Sequence, residues 1–136
     1  MAVPSTAESP PGHRPAANLV VRDVSASYVA GTVSFSAVVR NRGDRRAQHS
    51  RVATYVSPAA NPDIEVDGWA LGTVRLRGLR PHATRTLTGS LPLPNSVPAG
   101  DYRVVICVRA QPVGISELYR CAVSPEILTL PEPPPD

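Results

Sequence analysis

The sequence predicts an all-β protein, an immunoglobulin-like antiparallel β-sandwich of about seven strands with extended Pro-rich termini. Residues 31–44, G-T-V-S-F-S-A-V-V-R-N-R-G-D, alternate apolar and polar side chains and end in turn-forming residues. Side chains of a strand point to opposite faces with period two, so this segment is predicted to be a strand with one buried face. Six further strand candidates accompany it, and no window shows a helical period.

The first four strand candidates are separated by turn signals. The first ends at Ala30-Gly31, the second ends at Gly43-Asp44, and the turn-rich run 58–68 precedes the fourth. Gly, Pro, Asn and Asp at these places favour reversal of the chain, so each segment is predicted to pair with another strand. The four candidates are 19–29, 32–42, 51–57 and 69–77.

Three more candidates complete the predicted sandwich. The fifth, 83–91, is rich in Thr, and the sixth, 101–109, follows the turn sequence P-A-G. The seventh, 117–130, contains Pro125, which breaks the strand or places it at an edge because proline donates no ladder hydrogen bond.

The chain divides into three parts. Residues 1–17 form a Pro-rich extended arm or linker, residues 18–130 the sandwich, and residues 131–136, P-E-P-P-P-D, a Pro-rich tail. Two interpretations of these ends stay open, namely linkers from a longer polypeptide and arms that lie along a neighbouring subunit. Residues 1–17 lack the apolar segment of a secretory signal, so a signal was removed or export by that route does not occur.

Composition limits the classes of partner. The net charge is +3, and all fourteen basic residues are Arg, scattered along the sequence and not interleaved with aromatic residues. A nucleic-acid groove needs a dense basic stripe with stacking aromatics, so no nucleic-acid partner is expected. No run approaches the ~18 apolar residues of a membrane span, so no membrane insertion is expected.

Five segments in order resemble the CARDB family, the cell-adhesion-related domains of bacterial and archaeal surface proteins. They are N-L-V-V-R-D-V, G-T-V-S-F-S-A-V-V-R-N-R-G, Y-V-S, W-A-L-G-T-V and P-A-G-D-Y-R-V-V-I-C-V. The similar region covers residues 18–121, although the family's late Asn-rich motif survives only as G-I-S-E at 114–117. The resemblance implies an immunoglobulin-like, non-enzymatic module for binding or structure, without indicating a particular ligand.

The two cysteines are predicted to form a disulfide. Cys107 lies in the sixth strand, on the face opposite the apolar residues from Tyr102 to Val108, and Cys121 lies in the seventh strand. We expect the bond to join neighbouring strands on the outer face of one sheet, to contribute ~3 kcal/mol, and to require an oxidising compartment. The alternative is two free thiols in a protein assembled in the cytosol.

Two aromatic residues have predicted structural roles. Tyr102, near the start of the sixth strand, resembles the tyrosine corner of sandwich folds, in which the hydroxyl bonds back to the chain. Trp69 opens the fourth strand and is expected to pack in the core or at its rim, a ligand platform being the alternative.

Two short motifs suggest binding sites. Arg42-Gly43-Asp44 spells the tripeptide that integrins recognise, but it coincides with an expected Asn-x-Gly turn. Asp63, Glu65 and Asp67 alternate as in a calcium loop, yet the closing Glu is replaced by Val74, which favours a solvated acidic loop without metal.

No catalytic motif is present, so neither catalytic residues nor a cofactor are predicted. The sequence lacks a G-x-S-x-G elbow, an H-E-x-x-H pair and a phosphate-binding loop.

Two non-enzymatic functions are expected. One is an adhesion or spacer module at the cell surface or outside the cell. The other is a structural subunit, such as a phage capsid decoration protein or a filament subunit, that contacts neighbouring subunits through its arms and forms homo-oligomers on a virion or filament.

A carbohydrate-binding role needs exposed aromatic side chains on one face. Trp69, Tyr28, Tyr55 and Tyr119 could supply such a platform only if they share a face, and their spacing does not show that they do.

Overall fold

Two antiparallel sheets without a helix make up the part of the chain that the computed structural model describes, residues 17–60, 62, 68–109 and 119–132. The predicted β-sandwich is therefore confirmed. Its described strands are β1 (Leu19–Val29), β2 (Thr32–Asn41), β3 (Ser50–Pro58), β4 (Trp69–Leu76), β5 (Thr84–Pro92), β6 (Gly100–Arg109), β7 (Tyr119–Val123) and β8 (Leu128–Leu130).

The chain crosses from one sheet to the other after β2, β4 and β5. One sheet has the order β1-β2-β5, and the other has the order β4-β3-β6-β7, with β8 also paired to β6. Strands β3 and β4 thus lie in the sheet opposite β2 and β5, as in immunoglobulin-like sandwiches, where the chain crosses between sheets.

The alternating sequence of β2 produces one wall of the core. Val33, Ala37 and Val39 are almost fully buried, whereas the intervening Ser34, Ser36 and Val38 are only partly covered. From the opposite sheet, alternate residues of β3 and β6 fill the remaining space between the two sheets, and their side chains are completely or nearly completely buried: Val52, Thr54, Val56, Val104, Ile106 and Val108.

The predicted seventh strand is two strands. Its segment 117–130 contains β7 and β8, separated by Ser124–Ile127 around Pro125, so the predicted interruption by proline is confirmed. Ser124 fills the gap left in the ladder, because its N–H donates to the carbonyl of Val104 at 2.8 Å and its hydroxyl accepts from the N–H of Val104 at 3.0 Å.

A bulge in β1 is a feature that strand alternation alone does not predict. The pairing with β2 shifts between Arg22 and Ser25, and Asp23 adopts a φ of 54°. The extra residue lets Leu19 on one side of the bulge and Val24 on the other both face the core.

The chain enters and leaves the sandwich at opposite ends. At the entry end, Leu19 pairs with Asn41, and the connections 42–49 and 77–83 lie there. At the exit end, Leu130 pairs with Gly100, and the next two residues line a cleft beside Tyr28 and the β1–β2 turn. The ten intervals between the eleven residues of β1, at about 3.3 Å each, separate the two ends by roughly 33 Å.

Gly89 allows the ring of Phe35 to lie across β5. The two residues are direct partners between β2 and β5, and a Cβ on Gly89 would lie 2.7 Å from Cζ of Phe35 and 3.2 Å from Cγ2 of Val74. The buried aromatic ring therefore occupies the space above a glycine that has no side chain of its own.

We predict that Gly89→Ala lowers the free energy of unfolding by ~1–3 kcal/mol, because the added methyl overpacks the core against Phe35. Urea denaturation followed by tryptophan fluorescence measures this change. Thr88→Ala, at the exposed neighbouring position, is the control and should cost less than about 0.5 kcal/mol. Equal stabilities of the two variants would contradict this account of the Phe35–Gly89 pair.

Candidate binding surfaces

Asn41 organises the entry end. Its side chain is fully buried at the end of β2. Its Oδ1 accepts hydrogen bonds from the N–H of Asn18 at 3.0 Å and of Gly43 at 2.9 Å. Its Nδ2 donates to the carbonyls of Arg45 at 2.8 Å and of Leu79 at 3.1 Å. One amide therefore joins the start of β1 to both connections of this end.

Backbone hydrogen bonds reinforce the same junction. The N–H of Asn41 donates to the carbonyl of Ala83, and the carbonyl of Asn41 accepts from the N–H of His82 at 2.7 Å. Ala47 and Leu79 exchange a pair of backbone hydrogen bonds as an isolated bridge. His82 has a φ of 63°, an uncommon conformation that the hydrogen bond to Asn41 helps to hold.

The tripeptide Arg42-Gly43-Asp44 lies in the turn that Asn41 closes. The hydrogen bond from the N–H of Gly43 to Oδ1 of Asn41 makes it an Asx turn, as the N-R-G sequence predicts. Arg42 and Asp44 are exposed, and the carboxylate of Asp44 lies 3.7 Å from Nε2 of His82. The tripeptide therefore has a structural explanation, and its recognition by an integrin stays a prediction.

Arginines that look scattered along the sequence meet at the entry end. The β2–β3 connection 42–49 carries three exposed arginines, and two more lie in the connection that follows β4. A further one lies near the end of β4, opposite Arg51 of β3. The signal in the sequence was the run R-N-R-G-D-R-R at 40–46. We call this set the arginine cluster: Arg42, Arg45, Arg46, Arg75, Arg77 and Arg80.

The predicted disulfide is confirmed. Cys107 of β6 and Cys121 of β7 are direct register partners, and a disulfide joins them. Cys107 alternates with the core residues Ile106 and Val108 and is not part of the core cluster, which places the bond on the outer face of the sheet. Such a disulfide indicates an oxidising environment, because disulfides form and persist there.

Trp69 and Tyr102 form an aromatic pair at the exit end. Their ring centroids lie 6.2 Å apart in an edge-to-face arrangement, and Trp69 is partly buried against the core. The hydroxyl of Tyr102 donates to the carbonyl of Pro98 at 2.9 Å, which is the hydrogen bond that a tyrosine corner requires. Burial raises the pKa of the Tyr102 phenol above its usual value, because the charged phenolate would lose its hydration.

Three of the four candidate aromatic residues do not form a common exposed platform, and the side chain of the fourth, Tyr119, lies outside the described part of the structure. Tyr28 and Trp69 both pack against the core. Tyr55 alternates with the buried Thr54 and Val56 in β3 and faces the outer side of its sheet. The condition for a carbohydrate platform, a shared exposed face, is therefore not met by these three residues.

A shallow cleft opens at the exit end. It has a volume of about 270 Å³ and is bordered by residues of the β1–β2 turn, the β5–β6 connection and the C-terminal segment. Its lining residues are Tyr28, Gly31, Leu93, Pro94, Asn95, Val97, Pro131 and Glu132.

The calcium candidates Asp63, Glu65 and Asp67 lie outside the described residues. Within the residues that are described, no group of three or more His, Cys, Asp or Glu side chains could hold a metal ion.

The described part of the chain also contains no helix that is long and apolar enough to cross a membrane.

Comparison with known proteins shows the fold but no family. No family model matches the chain, and no curated protein matches it. Among solved structures, β-glucosidase 3B from Thermotoga neapolitana aligns with a TM-score of 0.53 and 18% identity, over 82% of this chain and 16% of that chain. The β-glucosidase EmGH1 from Erythrobacter marinus aligns with a TM-score of 0.53 and 14% identity, over 83% and 16% of the two chains.

The likeness to these enzymes concerns a small region of each of them. The chain spans only 16% of the length of either glucosidase. At identities of 18% and 14% the similarity shows a shared fold alone, since one fold serves many functions.

We predict that Asn41→Ala destabilises the protein by about 3 kcal/mol or more, because the N–H of Asn18 and of Gly43 and two carbonyls lose their buried partner. Asn41→Asp should also destabilise, because it places an oxygen against the carbonyls of Arg45 and Leu79. Chemical denaturation measures both changes. Asn95→Ala, at an exposed asparagine of the exit end, should be nearly neutral, and a similar cost for Asn95→Ala and Asn41→Ala would refute the role of Asn41.

We predict that Cys107→Ala/Cys121→Ala lowers the free energy of unfolding by ~3 kcal/mol, because the bond closes a loop with a sequence separation of 14. Thermal denaturation with and without dithiothreitol measures the loss. The reductant should lower the Tm of the natural protein and leave that of the double variant unchanged. A natural protein insensitive to reductant, with the Tm of the double variant, would show that the bond contributes nothing.

Proposed function

We propose that this chain is a non-enzymatic spacer and protein-binding module of a bacterial surface or extracellular protein, similar to the CARDB domains that its sequence resembles. The observation that carries the proposal is the course of the chain through the sandwich. The chain enters beside Asn41 and leaves beside Gly100, at opposite ends of strands about 33 Å long. A domain with this course adds its full length to a series of domains.

The two attachment points are fixed to the sheets. At the entry end, Arg42 donates its N–H to the carbonyl of Asn18, and Asn41 accepts the N–H of the same residue. At the exit end, β8 pairs with β6 up to Leu130. A pull on either end therefore acts on several strand and side-chain hydrogen bonds together. The Pro-rich composition of residues 1–17 and 131–136 favours extended, semi-rigid links beyond these points.

The disulfide supports a location outside the cytoplasm. It is formed across two strands of the larger sheet, and such bonds persist in oxidising compartments. A cell-surface or secreted location follows from this reasoning, and it matches the distribution of the CARDB domains.

Edge strands are the proposed surfaces for protein contact. The edge of β1 is partly blocked for an added strand, because the N–H of Ala26 already donates to a carboxylate oxygen of Glu126 at 3.0 Å. Glu126 lies in the connection between β7 and β8. Strands β4 and β5 are edges on the opposite side of the sandwich. Exposed edges offer unpaired backbone groups to an added strand of a partner, so we assign the protein contact to the β4–β5 side.

We predict that domains of this kind joined in series form an elongated chain, in which each domain adds its own length. In small-angle X-ray scattering, a fusion of two copies in series should exceed the single copy in maximum dimension by about 33 Å or more, because the strand axis lies along the chain path. A fusion whose maximum dimension hardly increases, as for two copies packed side by side, would contradict the spacer role.

Light scattering separates this proposal from the alternative of an assembly subunit. A spacer module predicts monomers for both the full chain and residues 17–132. A capsid decoration protein or filament subunit that uses its arms predicts oligomers for the full chain, which dissociate when residues 1–16 and 133–136 are removed.

A further inference from the structure

The arginine cluster concentrates positive charge at one end of a weakly charged molecule. The net charge of the whole chain is only +3, yet six exposed arginines lie at the entry end, five on two connections and one near the end of β4. Arg40, Arg51 and Arg85 lie beside them on β2, β3 and β5, which raises the local charge further.

Carboxylates do not neutralise this charge within the described residues. Asp44 is the only acidic residue in the connections 42–49 and 77–83. It lies beside His82, and the other ion pair of the described residues joins Arg22 to Asp23, outside the cluster. Like charges held together repel one another, so an anionic partner would stabilise this end of the domain.

The backbone that carries the cluster is held in place before any partner binds. Asn41 bonds the carbonyl of Arg45, and Nη1 of Arg85 donates to the carbonyls of Arg77 and Gly78 at 3.1 and 3.3 Å. The guanidinium of Arg46 lies close to Gly78, where a Cβ would be 3.1 Å from its Nε. Binding would therefore order side chains rather than whole loops, which lowers the entropy that binding costs.

We propose that the arginine cluster binds an anionic glycan that carries sulfate or phosphate esters. Guanidinium groups recognise such tetrahedral oxyanions with two parallel N–H···O bonds, which the ammonium of lysine does not offer. Several anions along one polymer would engage Arg42, Arg45 and Arg46 on one connection and Arg77 and Arg80 on the other.

The surroundings of the cluster favour a glycan over nucleic acid or membrane. The connections 42–49 and 77–83 contain no Phe, Tyr or Trp on which bases could stack. The large exposed hydrophobic residues of the described chain, Val29, Val123 and Ile127, lie toward the exit end, so no apolar group accompanies the arginines into a bilayer. The disulfide indicates an oxidising environment, and the proposed surface location would expose the cluster to anionic polymers outside the cell.

Binding to two defined polymers tests the proposal. Heparin supplies sulfate esters and poly(glycerol phosphate) supplies phosphate esters. Fluorescence anisotropy of each labelled polymer gives the Kd at NaCl concentrations from about 50 to about 300 mM, over which the Debye length falls from about 14 to about 6 Å. We expect binding of at least one polymer that weakens steeply with salt. The tighter polymer identifies the ester that the cluster prefers.

Two variants of equal net charge locate the site. Arg45→Gln/Arg80→Gln removes two charges from the cluster, and Ser96→Glu/Ala99→Glu lowers the net charge by the same amount at exposed positions of the exit end. We expect the first to weaken binding by about tenfold or more and to reduce the salt dependence, since each lost ion contact removes about one released counterion. The second should change the Kd by less than about twofold.

Several results would overturn the proposal. They are the absence of binding to both polymers at the lowest salt concentration, equal weakening by the two variants, and tighter binding of double-stranded DNA than of either polymer. Thermal denaturation of Arg45→Gln/Arg80→Gln must show an intact fold. If that variant is unfolded, Arg42→Gln/Arg77→Gln, which alters two other exposed side chains of the cluster, replaces it with the same expected result.

Discussion

The buried amide of Asn41 is the constraint on which the entry end of this domain depends. A fully buried amide that lacked partners would cost several kcal/mol, so the surrounding backbone must present two N–H groups and two carbonyls to it. Asn18, Gly43, Arg45 and Leu79 supply these groups from three separate segments. The start of β1 and both connections are thereby brought together at the end of β2. The hydrogen bonds of this one side chain thus help to hold in place the two connections that carry the exposed arginines.

The exit end is organised by different interactions with a similar result. Tyr102 packs edge-to-face against Trp69 and bonds the carbonyl of Pro98, which fixes the connection that leads into β6. Arg103 adds hydrogen bonds to the carbonyls of Ser124 and Pro125, so the segment between β7 and β8 is held to the same strand. Each end of the sandwich is thus a small network that anchors the chain where it enters or leaves. Such anchoring is what the spacer function that we propose would require.

Much of the fold could be predicted because its signals are local. The bounds of β1 coincide with the predicted segment 19–29, since turn residues at Ala30-Gly31 terminate it. The outer-face disulfide could be predicted because Cys107 alternates with core-facing residues of its strand. The interruption of 117–130 could be predicted from Pro125. The bulge at Asp23 could not be predicted, because it depends on matching β1 to β2 and to the core. The Phe35–Gly89 contact likewise depends on the register between two strands distant in sequence.

The sequence by itself determined the sandwich class, the strand positions, the tyrosine corner and the pair of cysteines. These features depend on the alternation of side chains along a strand and on turn residues, both of which act within about ten residues. The tertiary structure alone decided which segments became neighbours. Only the strand order brings the connection 42–49 beside 77–83 and turns arginines dispersed over forty residues into one cluster. It also revealed that the asparagine before the R-G-D tripeptide is a buried junction, with partners up to 38 residues away. A burial requirement of that kind has no signature in a linear pattern, because its partners are set by the packing of the sheets.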